Sequence, residues 1–487
     1  MVLEDVTSFH CPRRECSRAA QPIPKVDLTM RSAPKIAGVI GVLLLIWSAL
    51  FASTFSLPFH WDDFHLIRKY SGPEIFSVFH GVVDPDKIET PGLRPVSILL
   101  YNLQGSLWCE NILLHRIFML FLMALFLFLV GVLLSGLGLQ FFQIAIVFAL
   151  FISSRVFASL VLWVSLSHLI LAYIFITLTA LFFVHWVKQR RTTFFVLMLL
   201  SATVATFIRE ESYTLPVALP LIWLISTLDR TRRREVLAAS LSLLVIFACH
   251  FWLWHFLIPN ALSPQFTLTA ANKLLRAMAS SWVPGGYTMI GVADNLIGFL
   301  WVGFLVAVLG IFLVASRPSA RWQVLGICCL GALFSLPALG IARPFGIALP
   351  TLAFLTAVPI GLAEIYRHVQ SRGCQRRAVI GFAMLGLALG IVGGIHRSMY
   401  VAESLRQNCA VRAERDGEFL FDILDHPATI PKSRREAGLL RLAGLGIKSA
   451  EDVKNLRRDL RENRSRFEQT GKDRQGLFLP KYEYLSF

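Results

Sequence analysis

Residues 36–57 read IAGVIGVLLLIWSALFASTFSL, 22 positions without one charged side chain. Wound as an α-helix at about 1.5 Å per residue, the run is about 33 Å long, enough to cross the roughly 30 Å hydrocarbon layer of a bilayer. A polar, basic stretch precedes it (Arg13, Arg14, Arg18, Lys25, Arg31, Lys35), and the run is too long for the apolar part of a removable signal peptide. It reads as a retained first membrane span.

Working outward, further apolar runs lie near 113–134, 139–153, 163–186, 193–208, 213–228, 236–257, 294–315, 322–341, 346–366 and 378–396, for a total of eleven. Composition agrees: 55% of the 487 residues are hydrophobic and 16% are charged, against about 25% charged in soluble domains. The runs are continuous rather than alternating, which excludes a transmembrane β-barrel. The expected fold is an all-α polytopic membrane bundle of about 11 transmembrane helices.

The net charge of +16 could suit nucleic acid, but the basic residues sit in short clusters between apolar runs. They read as topology signals, and no nucleic-acid partner is expected. With a cytoplasmic N-terminus, the even-numbered connections from the fourth onward are basic: Lys188 with Arg190 and Arg191; Arg230 with Arg232, Arg233 and Arg234; Arg317 with Arg321; and Arg367 with Arg372, Arg376 and Arg377. Three parts follow: a cytoplasmic tail (1–35), a membrane module (36–397) with long outer loops at 58–112 and 258–293, and an extracytoplasmic C-terminal helical segment (398–487). The cysteines show no zinc-site spacing.

The outer loops carry the chemistry. Asp62 and Asp63 stand where the first span meets the outer surface, and carboxylates at a membrane boundary are costly unless solvated or used. Beyond them, apolar residues at helical spacing predict two interfacial helices, near 73–80 (Ile75, Phe76, Val78, Phe79) and 95–108 (Val96, Leu99, Leu100, Leu103, Leu107). Arg94 precedes Pro95 at the start of the second helix, and Asn111 and His115 open the second span. A boundary guanidinium either snorkels to the surface or binds phosphate through paired donors. Arg209, Glu210 and Glu211 fall in one outer turn, and Arg343-Pro344 in another.

This order of residues resembles the GT-C superfamily of membrane glycosyltransferases, and more narrowly the members related to protein O-mannosyltransferases and the aminoarabinose transferases of lipid A. The matching positions are the acid pair after the first span, Arg94-Pro95, Asn111-x-x-x-His115, the basic-acidic cluster 209–211, and Arg343-Pro344 with Leu349-Pro350. The resemblance spans residues 36–366. It departs from the family pattern in having Asp-Asp where many relatives have Asp-Glu, and Arg-Glu-Glu where Lys-Glu is commoner.

The resemblance implies an inverting transfer of a sugar from a polyprenyl-phosphate-linked donor to a protein, lipid or glycan acceptor on the outer side. Asp62 or Asp63 is then the general base, with Asp62 favoured by its position in the motif. Arg94, Arg209 and Arg343 compensate the leaving phosphate, and Glu210, Glu211 and His115 support them. Glu210 or Glu211 either orients an arginine or helps hold a divalent cation, for which Asp63 and Glu210 are candidate ligands. The alternatives are a flippase or transporter of a lipid-linked substrate, a polysaccharide polymerase, and a membrane anchor for the C-terminal segment. The chain suits a bacterial inner membrane, with the endoplasmic reticulum as the alternative, the N-terminus cytoplasmic and the C-terminus extracytoplasmic.

Overall fold

The computed structural model describes residues 33–55, 66–67, 69–70, 72–77, 79, 93–108, 111–226, 231–257, 292–336, 347–371 and 376–425. Asp62, Asp63, Arg343 and the outer loop 258–291 lie outside the described residues.

Every described element is helical. In chain order they are α1 (Ala33–Leu50), α2 (Gly72–Ser77), α3 (Pro95–Trp108), α4 (Ile112–Gly136), α5 (Phe141–Ser153), α6 (Arg155–Leu162), α7 (Ser167–Gln189) and α8 (Thr192–Thr206). There follow α9 (Leu215–Ile225), α10 (Arg233–Leu257), α11 (Val292–Ala315), α12 (Pro318–Ser335), α13 (Ala348–Ser371) and α14 (Arg376–Asp425). Short 3-10 turns precede α7 at Val164–Leu166 and α9 at Glu210–Thr214.

The chain is an all-α, multi-pass membrane protein. Among the described residues six helices are long and apolar enough to cross a bilayer, or seven if the bent pair α5–α6 counts as one span. The six fall on six of the eleven expected runs, and α5 falls on the run at 139–153. The other four runs, at 193–208, 213–228, 294–315 and 322–341, also coincide with helices: α8, α9, α11 and α12. The helical positions match the sequence reading, while length and hydropathy certify fewer of them as complete crossings.

The bend between α5 and α6 is 63°, and one residue makes it. Ser154 adopts extended φ/ψ, so its side chain caps α6 by accepting from the Phe157 amide at 3.3 Å while donating to the Phe151 carbonyl at 2.6 Å. That diverts the amide that would otherwise bond Ser153 O. Ser398 Oγ, from α14, donates to that carbonyl at 2.8 Å instead. The close approach of α14 depends on Gly394, where a Cβ would stand 2.8 Å from Ser153 O.

α7 and α13 are the most enclosed of the long helices, and α1 and α14 the most exposed. Large apolar side chains such as Leu45, Leu244 and Val314 stand outward on the periphery, as expected where the surrounding solvent is lipid. α14 continues without interruption from Arg376 to Asp425, across the position near 397 where the sequence suggested that the membrane module ends.

Candidate functional site

The starts of α3 and α7 and the end of α8 converge, and backbone groups stitch α3 to the turn after α8. At the start of α3 the Val96 amide donates to Phe207 O at 3.3 Å and Ser97 Oγ donates to Ile208 O at 3.1 Å, joining the first turn of one helix to the last carbonyls of another. Arg94, just before Pro95, is thereby set against the turn that follows α8. Its Nε donates to Glu210 Oε1 at 3.0 Å and its Nη2 to Glu210 Oε2 at 2.7 Å.

A second fork lies beside the first. Arg209 Nη2 donates to Glu211 Oε1 at 2.7 Å and Nε reaches Glu211 Oε2 at 2.9 Å, while Nη1 stands 3.2 Å from His168 Nε2. A guanidinium can only donate, so His168 Nε2 accepts and the ring proton sits on Nδ1. Nδ1 lies 2.6 Å from Ser165 O and 2.5 Å from the Tyr101 hydroxyl, which itself donates to Ser165 O at 2.7 Å. His168 is therefore a neutral imidazole joining Tyr101 on α3 to Arg209.

The result is four charges that sum to zero in a partly dry setting. Burial alone would push the Glu210 carboxyl up, but Arg94, by charge and hydrogen bond, and then Arg209 outweigh it and hold the group at about 2. Burial likewise opposes the charge on Arg209, yet the Glu211 carboxylate raises its proton affinity above the usual arginine value. Arg94 and Arg209, the arginines expected at a phosphate, are each clamped by a glutamate. Glu210 and Glu211 each orient an arginine. Both Glu210 oxygens are engaged by Arg94, and among the described residues no three metal-ligating side chains converge.

His115 sits apart from the forks. It is buried, with Nδ1 3.4 Å from Gln104 Oε1 and its ring edge-on to Trp108, and Gln104 Nε2 passes the connection to Ser167 Oγ at 2.7 Å. Asn111 has a local task as the N-cap of α4, its Oδ1 accepting from the Leu114 amide at 3.2 Å. The interfacial reading of α3 fits its burial pattern: Ile98, Leu100 and Tyr101 face inward, and Leu99, Leu103 and Leu107 are exposed.

Tyr101, His168, Tyr213 and His250 were not among the site residues expected from sequence. The Tyr213 hydroxyl lies 2.6 Å from His250 Nδ1, and His250 Nε2 stands 3.3 Å from Leu93 O, next to Arg94. The available signal was a histidine inside each of two apolar runs, where an unpaired imidazole would be costly. Nothing in the sequence names their partners, 67 and 37 residues away.

Two further contacts place neighbouring chain around the forks. Ile67 and Tyr70, shortly after the acid pair, pack with Ile98, Tyr101 and Val164, and the Tyr70 amide donates to Asn102 Oδ1 at 2.8 Å. The Tyr173 hydroxyl meets the backbone of Ala348, the first residue of α13.

Beneath the forks is a cavity of about 100 Å3 between α4, α7, α9, α12 and α13. Its end nearest the forks is lined by Leu215 and Leu349, and by Ile176 and Thr177 one turn below Tyr173; its other end reaches Leu139 and Gln323. Apart from a few polar side chains the lining is aliphatic and aromatic.

No family model matches this chain, and neither does any curated protein or solved structure.

Proposed function

We propose that this protein is an integral-membrane glycosyltransferase that moves a sugar from a polyprenyl-phosphate-linked donor to a hydroxyl of a protein, lipid or glycan acceptor on the extracytoplasmic side, with inversion. The observation that carries the reading is the cluster of clamped arginines directly over an apolar cavity. Its chemistry suits an amphiphile with an anionic head and a hydrocarbon tail.

In this reading Asp62 removes the proton from the acceptor hydroxyl as that oxygen bonds to the anomeric carbon. The bond from that carbon to the phosphate oxygen breaks, and the polyprenyl phosphate leaves with the electron pair. Arg94, Arg209 and Arg343 stabilise the charge that grows on the phosphate. The glutamate forks take Nε and Nη2 of Arg94, and among the described residues no partner takes its Nη1 donors. Clamping fixes these groups before the reaction, so little reorganisation accompanies bond cleavage. Ile67 and Tyr70, four to eight residues after the acid pair in sequence, dock against α3. A GT-C-like bundle of eleven spans, with an inside N-terminus and an outside C-terminus in a bacterial inner membrane, belongs to the same proposal.

The test uses purified protein in nanodiscs with a polyprenyl-phosphate sugar and candidate acceptors, chosen by mass spectrometry of glycans and lipid A from a deletion strain. Wild type should transfer the sugar, and Asp62→Asn should insert normally and transfer none. Full activity of Asp62→Asn would remove Asp62 as the base. A second reading, translocation of a lipid-linked substrate, draws on the cavity's reach from Leu215 to Leu139 and Gln323. It predicts movement of labelled lipid between leaflets without sugar transfer.

A further inference from the structure

At the far end of the bundle a second charged cluster serves no part of the proposed reaction. Glu364 lies sixteen residues along α13 from Ala348, about 24 Å at helical rise, so the cluster is on the opposite side from the forks. The Glu364 residue is 5% exposed. Arg317 Nη2 donates to its Oε1 at 2.9 Å and Nε to Oε2 at 3.3 Å, and Arg367 Nη1 donates to the same Oε1. Arg321, one turn into α12, donates through Nε to Ser316 Oγ at 3.2 Å.

Two guanidinium groups thus share one carboxylate, and a third, Arg321, is held by Ser316, the residue before Arg317. Tying α12 to α13 needs a single arginine; the others are surplus positive charge. The Arg317 and Arg367 side chains remain 64% and 48% exposed, so their outer N–H groups are open to a ligand. Beside them the surface turns apolar: Trp322 is 70% exposed, Val314 82% and Leu325 51%. An exposed tryptophan next to arginines is the arrangement found at headgroup level, where an indole bridges polar and hydrocarbon layers.

We propose that Arg317, Arg321 and Arg367 form a binding site for one anionic bilayer phospholipid, whose phosphate meets the guanidinium edges while an acyl chain lies along Trp322 and Leu325. Glu364 acts as the template: by holding two arginines from different helices it directs both toward one point. Excess positive charge with an adjacent apolar wall selects a negatively charged lipid over a zwitterionic one. The site is independent of sugar transfer.

The test is native mass spectrometry of the purified full-length protein after equilibration in phosphatidylglycerol or phosphatidylcholine micelles. Wild type should retain one phosphatidylglycerol in preference to phosphatidylcholine, and inorganic phosphate at equal concentration should not displace it. Arg367→Gln and Arg321→Gln should each weaken retention about fivefold, the effect of one basic residue near a charged lipid. Arg321→Gln leaves the Glu364 pairs intact, so it reads the site even if Arg367→Gln impairs folding. Equal retention of the two lipids, displacement by phosphate, or unchanged retention in Arg321→Gln would overturn the proposal.

Discussion

Arg94 and Glu210, 116 residues apart in the chain, meet in a two-pronged ion pair at 3.0 and 2.7 Å. The pair closes one end of the bundle, joining the residue before α3 to the turn before α9. Removing one partner leaves a charge in a partly buried place, which costs more than the pair itself contributes. Arg94→Ala should lower stability by about 2–3 kcal/mol, and Glu210→Ala by a similar amount. The double variant should lose less than the sum of the two. Thermal unfolding in detergent across the four proteins measures the coupling; additive losses would show that the pair is not energetically linked.

The same pair predicts an acid dependence. Glu210 is depressed from an ordinary 4.5 to about 2, so its stabilisation is fully present above 4.5 and is lost as pH falls toward 2. The maximum effect is about 3 kcal/mol, reduced by screening because 22% of the side chain is exposed. The stability difference between wild type and Glu210→Gln should therefore be constant from pH 7 to 5 and shrink below 4.5. A difference that disappears already between pH 7 and 5 would contradict the assignment.

α14 is held against the bundle by a row of glycines whose missing side chains admit aromatic rings. A Cβ at Gly390 would lie 2.4 Å from the buried Trp301 ring, whereas at Gly381 nothing lies within 4 Å. Gly390→Ala should cost about 1–3 kcal/mol through overpacking. Gly381→Ala should be neutral or stabilising by about 1 kcal/mol, since alanine favours a helix. Melting temperatures of the two variants, measured side by side, decide between the packing and propensity effects.

Arg343 lies outside the described residues, and its role in the proposed reaction rests on sequence. If it binds the donor phosphate through a planar fork, Arg343→Lys should keep the charge and lose the paired donors. Arg343→Ala should then weaken donor use more than Arg343→Lys, each by more than tenfold in kcat/KM. Equal kinetics for the two variants would remove Arg343 from the phosphate site.

The sequence alone determined the solvent of this protein. Uncharged runs such as residues 36–57 require lipid around them, and a backbone in lipid must satisfy its own hydrogen bonds, so helices at those positions followed from local composition. The boundary residues were legible for the same reason: a charge beside a long apolar run stands out in one dimension. Partnership did not stand out. Arg94 and Arg209 look alike in sequence as boundary cations near two glutamates, but which carboxylate neutralises each depends on how α3, α7 and α8 pack. The neutral state of His168 follows only from its position between Tyr101 and Arg209. Hydropathy is summed along the chain and needs no fold, whereas an ion pair is set by distances of about 3 Å between residues up to 116 positions apart, which only the tertiary structure decides.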